Sequence, residues 1–159
     1  MKTIEQIVER LTATEQTVAI AESCTGGMVA AAFVSLAGVS VCFKEGYVTY
    51  SNEAKEKNLG VLHETLEQYG AVSRQTATEM AAGVRDRADA DYGIATTGIA
   101  GPDGGTKDKP VGLVYVACAT TSDTFVQECR FAGDRQAVRQ QAVEAVTNLL
   151  LSCMSQEGE

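Results

Sequence analysis

The sequence predicts an α/β fold, a single layered domain with a mixed β-sheet flanked by helices. Three observations carry this prediction. Short apolar, β-branched runs alternate with segments of helical period through the first part of the chain, the order of βα units. Two strand-like runs then follow one another near the end, so the sheet is mixed rather than purely parallel. The 159 residues are 45% hydrophobic and carry no long Pro- or Ser-rich linker, which suits one core and one domain spanning 1–159.

The elements come in a clear order. Ile4, Ile7, Val8 and Leu11 have the spacing of an amphipathic helix. Thr17-Val18-Ala19-Ile20 reads as a buried strand, and the Ala-rich stretch from Met28 to Leu36 as a packed helix. Val41 to Tyr50 is a strand in which Gly46 suggests a bulge or bend. Ser51 or Asn52 caps a short helix to about Leu59, and Thr65 to Tyr69 forms another turn that Gly70 ends. Ser73 caps a helix from about Gln75 to Ala88, with Met80 and Val84 on its apolar face. Asp91 to Thr97 is a strand and Gly98 to Pro110 a loop. Strands Val111 to Ala119 and Thr124 to Phe131 come next. Asp134 caps a last helix to about Leu151, with Val138, Ala142, Ala145, Val146 and Leu149 inward.

Composition narrows the function classes. The net charge of −8 and the lack of Lys/Arg clusters argue against nucleic acid, which demands a basic face, and leave a small molecule as the expected partner. No apolar run approaches the ~18 residues of a membrane span, and Met1-Lys2-Thr3-Ile4-Glu5 lacks the apolar region of a signal peptide, so no membrane association and a cytoplasmic location are expected. The five cysteines have irregular spacing and no C-x-x-C pair, so neither a metal site nor a disulfide framework is indicated. Cys42, Cys118 and Cys129 read as core thiols, whereas Cys24 stands where a helix N-terminus would lower its pKa.

In sheets of this kind ligands collect at the carboxyl ends of strands. Three loops fall at such ends. The first is Ala21-Glu22-Ser23-Cys24-Thr25-Gly26-Gly27, where glycines open a helix whose free N–H groups and positive dipole end suit a phosphate or carboxylate. Its plainer reading is an ordinary βα turn capped by Ser23 or Thr25. The second is Tyr50-Ser51-Asn52-Glu53-Ala54-Lys55. Lys55 falls in the first helical turn, where the dipole disfavours an ammonium, so it either serves as a base toward a serine hydroxyl or is a solvated surface lysine. His63 is the only histidine, which makes Ser-Lys chemistry a better fit than a Ser-His-Asp triad.

The third loop, Thr96-Thr97-Gly98-Ile99-Ala100-Gly101-Pro102-Asp103-Gly104-Gly105, offers successive N–H groups in a nest suited to an anion, or is simply flexible. It is not a Walker A motif, because the Lys-Ser/Thr pair is missing. In Gly133-Asp134-Arg135, an arginine in the first helical turn either meets an anion or snorkels along the surface.

Together these segments, with Gly70-Ala71-Val72-Ser73 and Lys109-Pro110-Val111-Gly112, resemble the CinA C-terminal-domain family, in order from about residue 15 to about residue 150. Its members include the nicotinamide-nucleotide amidases. The chain has the length of the stand-alone form, without the amino-terminal domain of the longer fusions. The resemblance implies hydrolysis of the carboxamide of nicotinamide mononucleotide to nicotinic acid mononucleotide and ammonia, without cofactor or metal, in a homo-oligomer. It implies a serine and lysine with an assisting tyrosine: by position Ser40 as nucleophile, Lys55 as base and Tyr50 as the assisting hydroxyl, with Val39 where a second serine is expected. Ser23 is the rival nucleophile and Cys24 a weaker one. Ser23, Thr25, Gly26, Gly27, Thr97, Gly98 and Arg135 become candidates for holding the nucleotide. The alternatives are a catalytically silent nucleotide-binding domain with a regulatory role, or an amidohydrolase for another pyridine amide.

Overall fold

A computed structural model describes residues 2–157. Helix α1 (Lys2–Ala13) precedes strand β1 (Val18–Glu22), helix α2 (Met28–Val34), a 3-10 turn at Val39–Val41 and strand β2 (Phe43–Val48). Helices α3 (Asn52–Leu59), α4 (His63–Tyr69) and α5 (Arg74–Ala88) lead to β3 (Tyr92–Gly98), β4 (Leu113–Ala119), β5 (Thr124–Arg130) and α6 (Arg135–Glu157). The sheet order is β2-β1-β3-β4-β5. β1 pairs parallel with β2 and β3, while β3–β4 and β4–β5 are antiparallel, so the sheet is mixed.

The pleat sends alternate side chains to two different cores. Val18, Ile20, Ile94, Val114, Val116 and Cys118 face α1, α2 and α6. Ala19, Ala21, Ala95, Ala117 and Ala119 face α5. The small-residue face lets α5 lie close to the sheet: a Cβ at Gly93 would stand 2.3 Å from the Ala81 carbonyl oxygen. α3 approaches α5 just as closely, because a Cβ at Gly83 would stand 1.9 Å from the Leu59 carbonyl oxygen.

Most predicted elements are present, and the differences have physical reasons. The irregularity in β2 falls not at Gly46 but at Lys44, where the pairing passes from Val18–Phe43 to Ala19–Glu45. Gly46 pairs regularly with Ile20. The fourth strand starts at Leu113 rather than Val111, because Gly112 has φ +95° and a Cβ there would meet the Phe131 carbonyl oxygen at 2.1 Å. α6 runs to Glu157 because Leu150, Cys153 and Met154 continue the inward stripe of Val138, Ala142 and Val146. Ala145 and Leu149 flank that stripe, partly buried. Cys42, Cys118 and Cys129 are buried free thiols, as expected.

The topology sets the location of the site. The chain leaves β1 for β2 through α2 on one face and returns past β1 to β3 through α3–α5 on the other. The connections diverge at the carboxyl ends of β1 and its neighbours, which opens a crevice there.

Candidate active site

β1 ends in a carboxylate, and that residue organises the turn into α2. Glu22 is 1% exposed, and its side chain accepts hydrogen bonds from the Thr25 hydroxyl (2.6 Å) and the backbone N–H groups of Val29 (2.9 Å) and Ala30 (3.1 Å). The free donors at the start of α2 are therefore bound by the chain's own carboxylate, which corrects the expectation that they wait for a ligand anion. The Thr25 hydroxyl is likewise occupied within the chain: it is buried between Glu22 and the Thr96 hydroxyl, 2.7 Å away. Gly26 and Gly27 have φ of +56° and +104°, conformations that L side chains rarely adopt, so they shape the turn.

Ser23 comes directly after Glu22. Its N–H donates to the Thr96 carbonyl of β3 at 3.1 Å, and its hydroxyl faces Lys55. The Ser51 side chain accepts from the Ala54 N–H and caps α3, so the cap is Ser51 rather than Asn52. Lys55 and Leu59, one turn apart, form the buried side of that helix. Lys55 is therefore no surface residue: it is fully buried, with its Nζ 3.1 Å from Ser23 Oγ, 2.7 Å from the Thr49 carbonyl and 3.3 Å from the Tyr50 carbonyl. No salt bridge forms on it among the described residues. Burial pulls its pKa down to about 8, so desolvation rather than the helix dipole is the main cause.

This geometry prepares a base. A neutral lysine amine has two N–H donors and one lone pair. With both donors taken by the Thr49 and Tyr50 carbonyls, the lone pair is left for the Ser23 hydroxyl.

Ser40 stands elsewhere. It lies exposed in the 3-10 turn before β2, at the end of the sheet where Val18 pairs with Phe43, whereas Ser23 follows Glu22 at the opposite end. The strand between them puts roughly 16 Å between the two positions. Among the described residues no hydrogen bond links Ser40 to Lys55 or Tyr50. The structure thus does not bring Ser40 into the constellation, and Ser23 occupies the place expected for it.

Cys24 departs from expectation in another way. It is 5% exposed, and burial pushes its thiol up to about 11, overriding any help from the helix start. Tyr50 is 64% exposed; its hydroxyl accepts from Arg135 at 3.4 Å, and only its backbone carbonyl touches Lys55. Arg135 also donates to the Gly101 carbonyl at 2.8 Å, which joins the starts of α3 and α6 and the glycine loop at one rim. The Asp134 side chain caps α6 through the Ala137 N–H. The Thr97 hydroxyl donates to the Ala71 carbonyl at 2.8 Å, and a Cβ at Gly98 would stand 2.6 Å from Val114 Cγ2.

Two residues that hold the Ser23 turn escape a reading of the sequence alone. Glu22 had a visible sign, an acid ending an otherwise apolar strand before a glycine turn. Arg139 had little beyond its position one turn after Arg135; its Nε and Nη2 donate to the carbonyls of Cys24 (3.0 Å) and Thr25 (3.2 Å).

The model of the CinA C-terminal domain matches residues 1–154. The chain belongs to the CinA C-terminal domain family. A CinA-like protein of Kosmotoga olearia is 51% identical over 138 residues, covering 87% of this chain and 34% of that protein. The chain thus spans about a third of the length of that relative, and of a Clostridium novyi protein named for competence-damage induction, 54% identical over 142 residues, 34% of which is covered. Among solved structures, the competence/damage inducible protein CihA of Agrobacterium tumefaciens superposes with a TM-score of 0.93 at 41% identity, over 95% of this chain and 93% of that one. A CinA-superfamily protein of Escherichia coli superposes with a TM-score of 0.90 at 38% identity, over 94% and 87%. The five-stranded mixed sheet with its flanking helices is thus the CinA-superfamily fold.

Proposed function

We propose that this domain is an amidohydrolase that converts the carboxamide of nicotinamide mononucleotide to the acid, with Ser23 as nucleophile and Lys55 as base. The observation that carries the reading is the buried Lys55 amine, 3.1 Å from Ser23 Oγ, with a pKa drawn down to about 8. A binding module has no use for such a lysine, whose burial is costly unless its neutral form is needed. The choice of substrate rests on the family resemblance.

In this reading neutral Lys55 takes the Ser23 hydroxyl proton as Oγ attacks the carboxamide carbon, giving a tetrahedral oxyanion. The backbone N–H groups of Cys24 and Thr25, which have no intramolecular acceptor among the described residues, are the nearest candidates for stabilising it. The ammonium of Lys55 returns the proton to the amide nitrogen, the C–N bond breaks and ammonia leaves an ester on Ser23. Water then gives its proton to Lys55 and attacks the ester. The C–Oγ bond breaks, Ser23 recovers its proton, and the carboxylic acid departs. Arg135, exposed beside Tyr50 at the rim, is the group best placed to meet the substrate's phosphate.

The test is ammonia release from nicotinamide mononucleotide by the native chain and by Ser23→Ala, Lys55→Ala and Ser40→Ala at equal folded concentration. The first two variants should lose at least about 10³-fold in kcat. Ser40→Ala should stay within about twofold. Turnover surviving Ser23→Ala would overturn the assignment, and binding without turnover in the native chain would favour a silent nucleotide-binding domain.

A further inference from the structure

The turn that carries Ser23 is gripped at both polarities. Its donors go to Glu22, which holds the Thr25 hydroxyl and the first N–H groups of α2. Its acceptors go to Arg139, which reaches from α6 to the carbonyls of Cys24 and Thr25, more than a hundred residues away in the chain. A Cβ at Gly26 would come within 3.4 Å of the same guanidinium, so the glycine leaves room for it. Arg139 has no carboxylate partner within salt-bridge distance among the described residues. Its other nitrogen contacts only the Gln136 side chain, at 3.4 Å.

Peptide units are planar and trans, so a carbonyl held in one direction sends the N–H of its own unit the opposite way. Holding the Cys24 carbonyl therefore orients the Thr25 N–H. Holding the Thr25 carbonyl orients the Gly26 N–H, which donates to the Ser23 carbonyl at 3.1 Å and so sets the Cys24 N–H in turn. Arg139 thus holds the Cys24–Thr25 and Thr25–Gly26 peptide units directly and the Ser23–Cys24 unit through the Gly26 N–H, and these three units include the two N–H groups, of Cys24 and Thr25, that have no acceptor among the described residues.

We propose that Arg139 is a positioning residue for the candidate serine, working with Glu22 to clamp the Ser23–Gly27 turn, so that the Ser23 hydroxyl and the Cys24 and Thr25 N–H groups hold their directions through the reaction. This rests on the Ser23–Lys55 assignment. Arg139 acts on the turn and not on the substrate, which separates it from Arg135 at the rim. A lysine cannot replace it, because one ammonium does not reproduce the planar fork that spans two carbonyls.

The experiment compares native chain, Arg139→Ala, Arg139→Lys and Glu22→Gln by steady-state kinetics and by hydrogen exchange of the segment containing residues 23–27. Arg139→Ala is expected to lower kcat about 10- to 100-fold, the scale of a small misplacement of reacting groups. KM should stay within about twofold. The limb of the pH profile set by Lys55 should not move, because the carbonyls that hold Lys55 belong to Thr49 and Tyr50. Exchange at the turn should quicken while the strands stay protected, and added guanidinium should restore part of kcat. Arg139→Lys should fall between the two, and Glu22→Gln should loosen the same segment.

A rise in KM with kcat intact would overturn the proposal by making Arg139 a substrate ligand. Unchanged exchange and a kcat within about twofold would overturn it by removing the clamp. A native chain without carboxamide turnover, whose Arg139→Ala variant still loosens the turn, would overturn the amidase reading and leave the clamp standing.

Discussion

Replacing Lys55 by methionine tests the buried amine directly. Methionine has similar length and needs no proton, so Lys55→Met removes the titration while filling most of the volume. The folded-state pKa is about 8 against 10.5 for the free side chain. A lysine depressed in this way binds fewer protons folded than unfolded between those two values, so its presence costs stability at low pH, and that cost is relieved as pH rises. At about 1.4 kcal/mol per pKa unit the full penalty is about 3 kcal/mol, and roughly 2–3 kcal/mol of it disappears between pH 7 and pH 10.

The variant also removes the hydrogen bonds of Lys55 with the Ser23 hydroxyl and the Thr49 and Tyr50 carbonyls, at a cost of roughly 1–3 kcal/mol that varies far less with pH than the titration does. The pH dependence therefore isolates the amine. Urea unfolding of both proteins from pH 7 to pH 10 should show the native chain gaining roughly 2–3 kcal/mol on Lys55→Met over that range. The raised thiol of Cys24 lowers stability as pH rises through the window, but both proteins carry it, so it cancels in the comparison. A difference between the two proteins that is flat with pH would refute the depressed lysine and with it the base.

The same geometry sets three further outcomes. If Lys55 is the base, kcat/KM for carboxamide hydrolysis should rise with pH through a limb near 8, measured by ammonia release. Cys24 should resist iodoacetamide in the native chain at pH 8 and react only after unfolding, followed by mass spectrometry, because it is buried and its pKa lies near 11. Gly83→Ala should lower stability by about 3 kcal/mol in urea unfolding, since the new Cβ would stand 1.9 Å from the Leu59 carbonyl oxygen. Because α3 must then shift, activity per folded molecule should fall as well.

Much of the fold could be read from the chain because local signals and tertiary packing agree in it. Ser51, Ser73 and Asp134 are the helix caps that their neighbours suggest, and Gly60 and Gly70 follow helix ends. Alternation of large and small residues along β1, β3 and β4 already encodes two unlike faces. Where the chain misled, a longer-range contact was decisive. Gly46 signals a bend, yet the register shift falls at Lys44, because only pairing with β1 determines which residue is left over.

The site divides in the same way. The sequence by itself identified the turn at Ser23, the lysine at 55 and the arginine at 135, since glycine turns at strand ends and cations in first helical turns are local anomalies. By resemblance it pointed to Ser40 and left Ser23 as the rival, because nothing local to either serine shows which one Lys55 will meet, and only the sheet sends them to opposite ends and puts Ser23 against Lys55. Nor could it show that Lys55 is buried, that Cys24 is silenced by the same burial, or that Glu22 takes the helix donors offered to a ligand. Desolvation, and contacts such as that of Arg139 with Cys24, depend on what the whole chain packs around a group, and that information exists only once β1, β2, β3, α3 and α6 have come together.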